Sequence, residues 1–113
     1  MAIFYERDGI TFSDHPLFKG VKIAKLAGSN DGSPIGSSIL RIERGIEIPV
    51  HTHEKSIDSI YCLNGSGEVF IDGSWRPLSE GDYCFVPPAE EHGVRNISEQ
   101  QLELFIVHCP PLF

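Results

Sequence analysis

Residues 45–65 read GIEIPVHTHEKSIDSIYCLNG, and this stretch decides the fold. Its second half, residues 58–63, alternates in the manner of a β-strand, which sends successive side chains to opposite faces. Asp58, Ile60 and Cys62 therefore share one face, and the two apolar residues mark that face as the inner one. A carboxylate that begins an inward row needs a polar partner. The stretch thus predicts a β-strand that enters the core from a polar site.

The β-pattern extends over most of the chain. Eleven glycines and eight prolines interrupt the sequence too often for a sustained helical period. Turn dipeptides such as Asn64-Gly65 and Asp72-Gly73 separate the short apolar runs. The predicted strands are residues 21–26, 38–43, 46–53, 58–63, 67–71, 83–86, 93–95 and 102–109. Short strands at this spacing predict an all-β sandwich or barrel.

Length and composition are typical of one folded domain. The chain has 113 residues, of which 41% are hydrophobic and 22% are charged. We therefore predict a single domain over residues 1–113. The first 20 residues are less regular than the rest, and we interpret them as an edge strand or as an arm that reaches a second subunit.

Charge and cysteine content argue against several classes of protein. Sixteen acidic and nine basic residues give a net charge of −7, and no Lys/Arg cluster is present, so nucleic acid is not an expected partner. The sequence contains no run of about 18 apolar residues, so no membrane span is predicted. Residues 1–8 lack the pattern of a signal peptide. Cys62, Cys84 and Cys109 each lie in an apolar run, which favours reduced core thiols over a disulfide framework. We expect a soluble cytoplasmic protein.

Three histidines and one aspartate are the candidate metal ligands. His51 and His53 stand two residues apart, so an extended backbone places both imidazoles on one face, roughly 6–7 Å apart. Asp58 begins the inward row of the next strand. His92 follows residues 87–91, where two prolines stiffen the backbone and can aim the imidazole into the same cavity. These four side chains predict one metal site.

Neutral imidazoles with one carboxylate suit a first-row divalent ion, namely Mn²⁺, Fe²⁺, Ni²⁺ or Zn²⁺. Such a ligand set leaves coordination positions open for water or a substrate. Scattered surface histidines are the alternative, but three of the five histidines fall on one spaced pattern. For Asp58 the alternative is a turn-capping role at the start of its strand.

His108 is a further candidate for the site. It ends the row Leu102, Leu104, Ile106, His108, which occupies one face of the last predicted strand and points into the barrel. Two interpretations stay open. His108 acts either as a general acid or base in the pocket, or as a structural histidine that hydrogen-bonds to the backbone at the mouth of the barrel.

Both histidine segments closely resemble the cupin motifs. The first motif runs Gly, five residues, His-x-His, three or four residues, Glu, six residues, Gly, and residues 45–65 match its spacing. The second runs Gly, five residues, Pro-x-Gly, two residues, His, three residues, Asn, and it matches residues 81–96, GDYCFVPPAEEHGVRN. Fifteen residues separate the motifs, as is typical of compact cupins. The resemblance to small single-domain cupins covers residues 38–111.

Two positions depart from the cupin pattern. Asp58 stands in place of the usual Glu and is one methylene shorter, and Ala89 stands in place of a Gly. The resemblance implies a double-stranded β-helix, or jelly-roll barrel. It also implies that Asp58 and the three motif histidines, His51, His53 and His92, bind a metal ion. Association into a homodimer is a further implication.

The resemblance leaves three functions open, because fold and metal site are common to all of them. The interpretation we favour is an enzyme whose ion acts as a Lewis acid on a small oxygen-rich substrate. A sugar derivative, a keto or enol acid or a polyketide would suit isomerase, lyase or cyclase chemistry of this type. The alternatives are an Fe(II) dioxygenase and a non-catalytic cupin that binds a small molecule.

Overall fold

The chain forms ten strands and no long helix. We describe residues 1–113 in a computed structural model, in which the only helical segments are single 3-10 turns at Arg7–Gly9 and Ser29–Asp31. The strands are β1 Ser13–Asp14, β2 Val21–Lys25, β3 Gly36–Ile42, β4 Glu47–His51, β5 Ile57–Asn64, β6 Ser66–Ile71, β7 Ser74–Ser79, β8 Tyr83–Val86, β9 His92–Arg95 and β10 Leu102–Cys109. The predicted all-β class is confirmed. No helix in the protein has the length and apolar character needed to cross a lipid bilayer.

Two antiparallel sheets face each other. The six-stranded sheet has the order β1-β2-β3-β10-β5-β8, and the four-stranded sheet has the order β4-β9-β6-β7. The last strand of the chain, β10, lies between β3 and β5, so strands far apart in sequence become neighbours. This connectivity is that of a jelly roll, as predicted. The irregular first 20 residues contribute the edge strand β1, which pairs with β2.

The core lies between the two sheets and contains 14 buried apolar side chains. Alternation along β5 places Asp58, Ile60 and Cys62 inside and leaves Tyr61 exposed, as the sequence predicts. On β10 the same alternation buries Leu104 and Ile106. The inward-facing side chains of β5 are therefore apolar at Cys62 and Ile60 and end in the carboxylate of Asp58 at the start of the strand.

Strand β7 is absent from the sequence-based prediction. Residues 72–82 fall between two predicted strands, yet Trp75 and Pro77 lie in a strand that pairs with β6 alone. A proline is tolerated there because an edge strand does not need every backbone N–H for its ladder. Trp75 is half-buried, with its ring 5.4 Å from that of Phe70 and the Arg95 guanidinium 4.1 Å from its centroid.

The strand predicted for residues 46–53 ends at His51, and His53 lies in the turn that follows. The pairing of β4 with β9 shifts register between Ile48 and His51, which marks a β-bulge or similar irregularity. Bulges bend a strand and re-aim its side chains. His53 therefore reaches the interior from a turn rather than by strand alternation.

The three cysteines are free but differ in burial. Cys62 is buried, Cys84 is half-buried, and Cys109, at the end of β10, is exposed. The prediction of a core thiol is right for Cys62 and wrong for Cys109, because the last residue of β10 lies at the margin of the sheet. Burial raises the pKa of the Cys62 thiol and raises that of Cys84 to about 11.

Candidate metal centre

Five polar side chains meet inside the barrel, and both sheets contribute to them. His51 and His92 lie opposite each other on β4 and β9. Asp58 and His108 lie opposite each other on β5 and β10. The turn after β4 adds His53. The fold thus brings together the four predicted ligands and also His108, which faces the interior as its place on β10 predicts.

The imidazole rings are packed closely. The centroid of the His51 ring is 4.4 Å from that of His92 and 4.8 Å from that of His53, and the centroids of His53 and His108 are 5.2 Å apart. The possible donor atoms form two overlapping sets that share His53. One contains His51, His53 and His92, the other contains His53, Asp58 and His108, and within each set all donor atoms lie within 4.8 Å of one another.

Backbone carbonyls fix the orientation of two of the rings. The distance from Nδ1 of His51 to the carbonyl oxygen of Pro49 is 2.7 Å, and that from Nδ1 of His92 to the carbonyl oxygen of Glu90 is 2.9 Å. A carbonyl oxygen only accepts, so Nδ1 carries the proton in both rings. Nε2 is therefore the nitrogen left for the interior. Burial also lowers the pKa of His51, which favours the neutral ring that a metal ion requires.

Asp58 is the electrostatic centre of the cluster. Its Oδ2 lies 3.0 Å from Nε2 of His92, 3.3 Å from that of His108 and 3.6 Å from that of His53. Burial by itself would raise the pKa of Asp58, but the three imidazoles together outweigh it and hold the pKa well below its usual range. The same contact raises the pKa of His92 against the effect of burial. Asp58 is therefore a carboxylate in contact with three imidazoles.

The donor set fits a divalent cation. Oδ1 of Asp58 is buried and has no hydrogen-bond partner, which is rare for a carboxylate oxygen in a folded protein. When His92 is neutral, its Nε2 lone pair is directed toward Oδ2 of Asp58, and the donor atom of His51 lies within 4.8 Å of those of His53 and His92. A cation among them would pair every one of these electron-rich atoms.

The cluster lines a small cavity of about 80 Å³. Most of its other walls are apolar and include Leu40, Ile60, Leu104 and Ile106, as the strand pattern predicts. Phe18 also lines it, with its ring centroid 6.1 Å from that of His51. The sequence offers no periodic signal for Phe18, because it lies in an irregular segment between β1 and β2.

A second, outer groove of about 420 Å³ also includes His53. Residues 52–56 line one part of this groove, and residues 110–112 near the end of the chain line another. Because His53 lines both spaces, it forms part of the wall between the inner cavity and the groove.

Ala89 connects the two histidine segments. Its backbone N–H donates a 2.7 Å hydrogen bond to the carbonyl oxygen of His53, and its φ of 67° lies in the left-handed region. Cupins usually have a glycine at this place in the motif, and a side chain there costs about 1–2 kcal/mol. The hydrogen bond from Ala89 to His53 thus links the turn before His92 to the segment that contains His53.

Comparison with known families identifies the fold. The model of the family described as "Cupin domain" matches residues 38–108 of this chain. The chain belongs to the cupin family. Its motif histidines and Asp58 all fall within the matched residues.

Two relatives of this cupin are described as uncharacterized proteins. A protein of Aquifex aeolicus is 34% identical over 74 residues, which is 66% of this chain and 60% of the relative. A protein of Methanocaldococcus jannaschii is 31% identical over 98 residues, which is 86% of this chain and 69% of the relative. The cupin thus spans 60% and 69% of the lengths of these two relatives.

Solved structures of the same fold include enzymes. The polyketide cyclase RemF from Streptomyces resistomycificus has a TM-score of 0.83 and 22% identity, covering 100% of this chain and 87% of RemF. The ectoine synthase from P. lautus has a TM-score of 0.83 and 22% identity, covering 98% of this chain and 80% of the synthase. Similarity at this identity establishes the fold alone.

Proposed function

We propose that this cupin is an enzyme that uses one divalent ion, Mn²⁺, Fe²⁺, Ni²⁺ or Zn²⁺, on a small oxygen-rich substrate. Isomerase, lyase or cyclase chemistry fits this proposal. Its main support is the convergence of three imidazoles and a buried carboxylate oxygen without a partner on a cavity with apolar walls. The cyclase and the synthase that share its fold support a catalytic role.

His51, His53, His92 and Asp58 would hold the ion. When bound, a divalent ion supplies Lewis-acid chemistry that polarises a substrate oxygen. The apolar walls offer water few hydrogen-bond partners, and electrostatic contacts are stronger where water is excluded. His108 also lines the cavity, and its role as a general acid or base on the substrate stays a prediction.

The size of the cavity narrows the substrate class. Pockets for drug-sized ligands have volumes of about 300–1,000 Å³, whereas this cavity holds about 80 Å³. Only a fragment of a few heavy atoms fits beside the histidines. We therefore favour a keto or enol acid, or the reactive end of a sugar derivative, over a polyketide that enters whole. The groove beyond His53 offers room for the rest of a longer substrate.

Solvent hydrogen exchange tests the proposed chemistry. In deuterated, oxygen-free buffer, the metal-loaded protein is expected to catalyse exchange of a substrate proton for deuterium. The proton is the one on the carbon next to the carbonyl of an α-keto acid or sugar acid that the protein accepts. The rate should exceed that of chelator-treated protein by about 10²–10⁴-fold, the range of acid–base catalysis. Proton NMR on a panel of such acids provides the measurement.

Two results of this assay would overturn the proposal. Turnover that appears only when oxygen is admitted and consumed would instead assign an Fe(II) dioxygenase. Saturable binding of a panel member, with neither exchange nor turnover for any, would assign a non-catalytic small-molecule binder.

We also propose that the protein works in the cytoplasm and has no nucleic-acid partner. Its three free cysteines support a reducing compartment. The net charge of −7 opposes binding to a polyanion.

We further propose that the partner of this cupin is a second copy of itself. Tyr61, Tyr83 and Phe85 form an edge patch on the outer face of β5 and β8, where each is between 41% and 57% exposed. The patch is uncharged, so two acidic chains can meet there with little repulsion, and β8 is an unpaired sheet edge. A C2 dimer would cover both patches.

Light scattering tests the dimer. At micromolar concentration we expect a mass twice the 12.5 kDa of the chain. Phe85→Lys should give a monomer, because it places a charge in the edge patch. Ile97→Lys, at an exposed position after β9, is the matched control and should remain dimeric. A monomeric wild-type protein would overturn the proposal.

A further inference from the structure

His108 differs from His51 and His92 in the environment of Nδ1. Its Nε2 lies 3.3 Å from Oδ2 of Asp58, and its Nδ1 is buried without any hydrogen-bond partner. In His51 and His92, by contrast, Nδ1 donates to a backbone carbonyl. A backbone carbonyl therefore holds the proton on Nδ1 in His51 and His92, whereas no such acceptor holds it there in His108.

The missing partner decides the tautomer of His108. A histidine that binds a metal through Nε2 carries its proton on Nδ1, and that N–H is almost always donated to a carbonyl, a carboxylate or water. A buried N–H without an acceptor is costly. In His108 the proton is better placed on Nε2, where Asp58 accepts it. His108 is thus built as a donor to the carboxylate rather than as a metal ligand.

Asp58 needs such a donor when the ion is bound. His53 and His92 would then direct their nitrogen lone pairs to the ion and would no longer donate to Oδ2. Among the three imidazoles around Oδ2, only His108 keeps an N–H for this oxygen. The Asp58 side chain is one methylene shorter than the usual Glu and reaches less far. Its contact with the ion therefore depends more on how the carboxylate is oriented. Because Oδ1 has no hydrogen-bond partner, the carboxylate is oriented only through the contacts of Oδ2.

We propose that His108 is a positioning residue that holds the Asp58 carboxylate toward the metal ion through an Nε2–H donated to Oδ2, and that it is not a fourth imidazole ligand. This inference rests on the proposed metal-dependent function and deepens it. The role differs from acid–base catalysis because His108 acts through Asp58 rather than on the substrate.

Zinc affinity and ligand counting test this role in the full-length protein. Competition with a chromophoric chelator measures the affinity, and X-ray absorption of the zinc-loaded protein counts the imidazoles. We expect three imidazoles in the wild type and three in His108→Ala. The affinity of His108→Ala should fall by about 10–100-fold, as for loss of an outer-shell partner. His108→Gln, which keeps an N–H donor, should recover most of the loss.

A double-mutant cycle shows whether His108 acts through Asp58. In an Asp58→Ala background, His108→Ala should cause no further loss of zinc affinity. Circular dichroism of the metal-free variants separates a loss of affinity from a loss of fold, and His108→Gln provides a second variant if His108→Ala does not fold.

Several results would overturn the inference. Four imidazoles in the wild type would make His108 a ligand. Unchanged affinity in His108→Ala, or an equal loss with and without Asp58, would remove the positioning role while leaving the proposed metal-dependent function intact. A wild-type protein that binds no divalent ion would overturn the proposed function itself, and the role of His108 with it.

Discussion

His53→Ala is expected to abolish stoichiometric metal binding. His53 is one of the four proposed ligands and belongs to both overlapping sets of donor atoms, so its loss leaves only His51, Asp58 and His92 to hold the ion. Loss of an outer-shell partner alone costs about 10–100-fold in affinity, and removal of a direct ligand should cost more than about 100-fold. Elemental analysis after dialysis should find close to one ion per wild-type chain and almost none in the variant.

His15→Ala is the matched control for this experiment. It also removes a histidine, but one that lies before β2, outside both sets of donor atoms. Since His53 is in a turn and partly exposed, its replacement should leave the circular dichroism spectrum unchanged. Retention of a full ion by His53→Ala, or an equal loss in His15→Ala, would contradict the proposed ligand set.

Leu102→Ala is expected to lower the free energy of unfolding by about 2–5 kcal/mol, the range for removing a buried leucine. Leu102 is 0% exposed and belongs to the core between the sheets. A Cβ added at the neighbouring Gly67 would lie only 2.9 Å from Leu102 Cδ2, which indicates how closely the two segments pack. Urea denaturation measures the change. Metal content should stay unchanged, because Leu102 does not line the cavity.

Leu17→Ala is the control of the same chemistry at a surface position. Leu17 is 79% exposed, so its truncation should change the free energy of unfolding by less than about 0.5 kcal/mol. Equal effects of the two substitutions would contradict the assignment of Leu102 to the core.

Strand alternation makes much of the fold predictable. Each side chain in an extended segment has only two faces to choose from, and apolar neighbours reveal the inner one. This is why the residue pattern alone is enough to place Asp58 and His108 inside the barrel. Their direct pairing across β5 and β10 could not be predicted, because register between strands so distant in the sequence depends on the whole sheet.

Other parts of the site lack a local sequence signal. Phe18 lies in an irregular segment, so no period indicates that it reaches the cavity. The strand β7 contains Pro77, which local propensity assigns to a loop and which only its edge position explains. The Nδ1 partners of His51 and His92 are carbonyls two residues earlier, and their direction depends on backbone angles that residue types do not specify.

The motif spacing predicts which side chains meet, but not how they share protons. The short Asp58 side chain places Oδ2 among three imidazoles and leaves Oδ1 without a partner. That division depends on the orientation of the carboxylate in the folded protein. A sequence reveals the missing methylene, but not which neighbouring donor compensates for it.

The position of His53 has a consequence for the lifetime of a bound ion. His51, Asp58 and His92 lie on strands, whereas His53 lies on a turn between the cavity and the outer groove. Turns open locally at a lower free energy than core strands do. We therefore expect the residence time of the ion to be limited by excursions of this turn rather than by global unfolding. Such a protein could exchange one metal for another while both sheets stay intact, so metal supply in the cell would help decide which ion it carries.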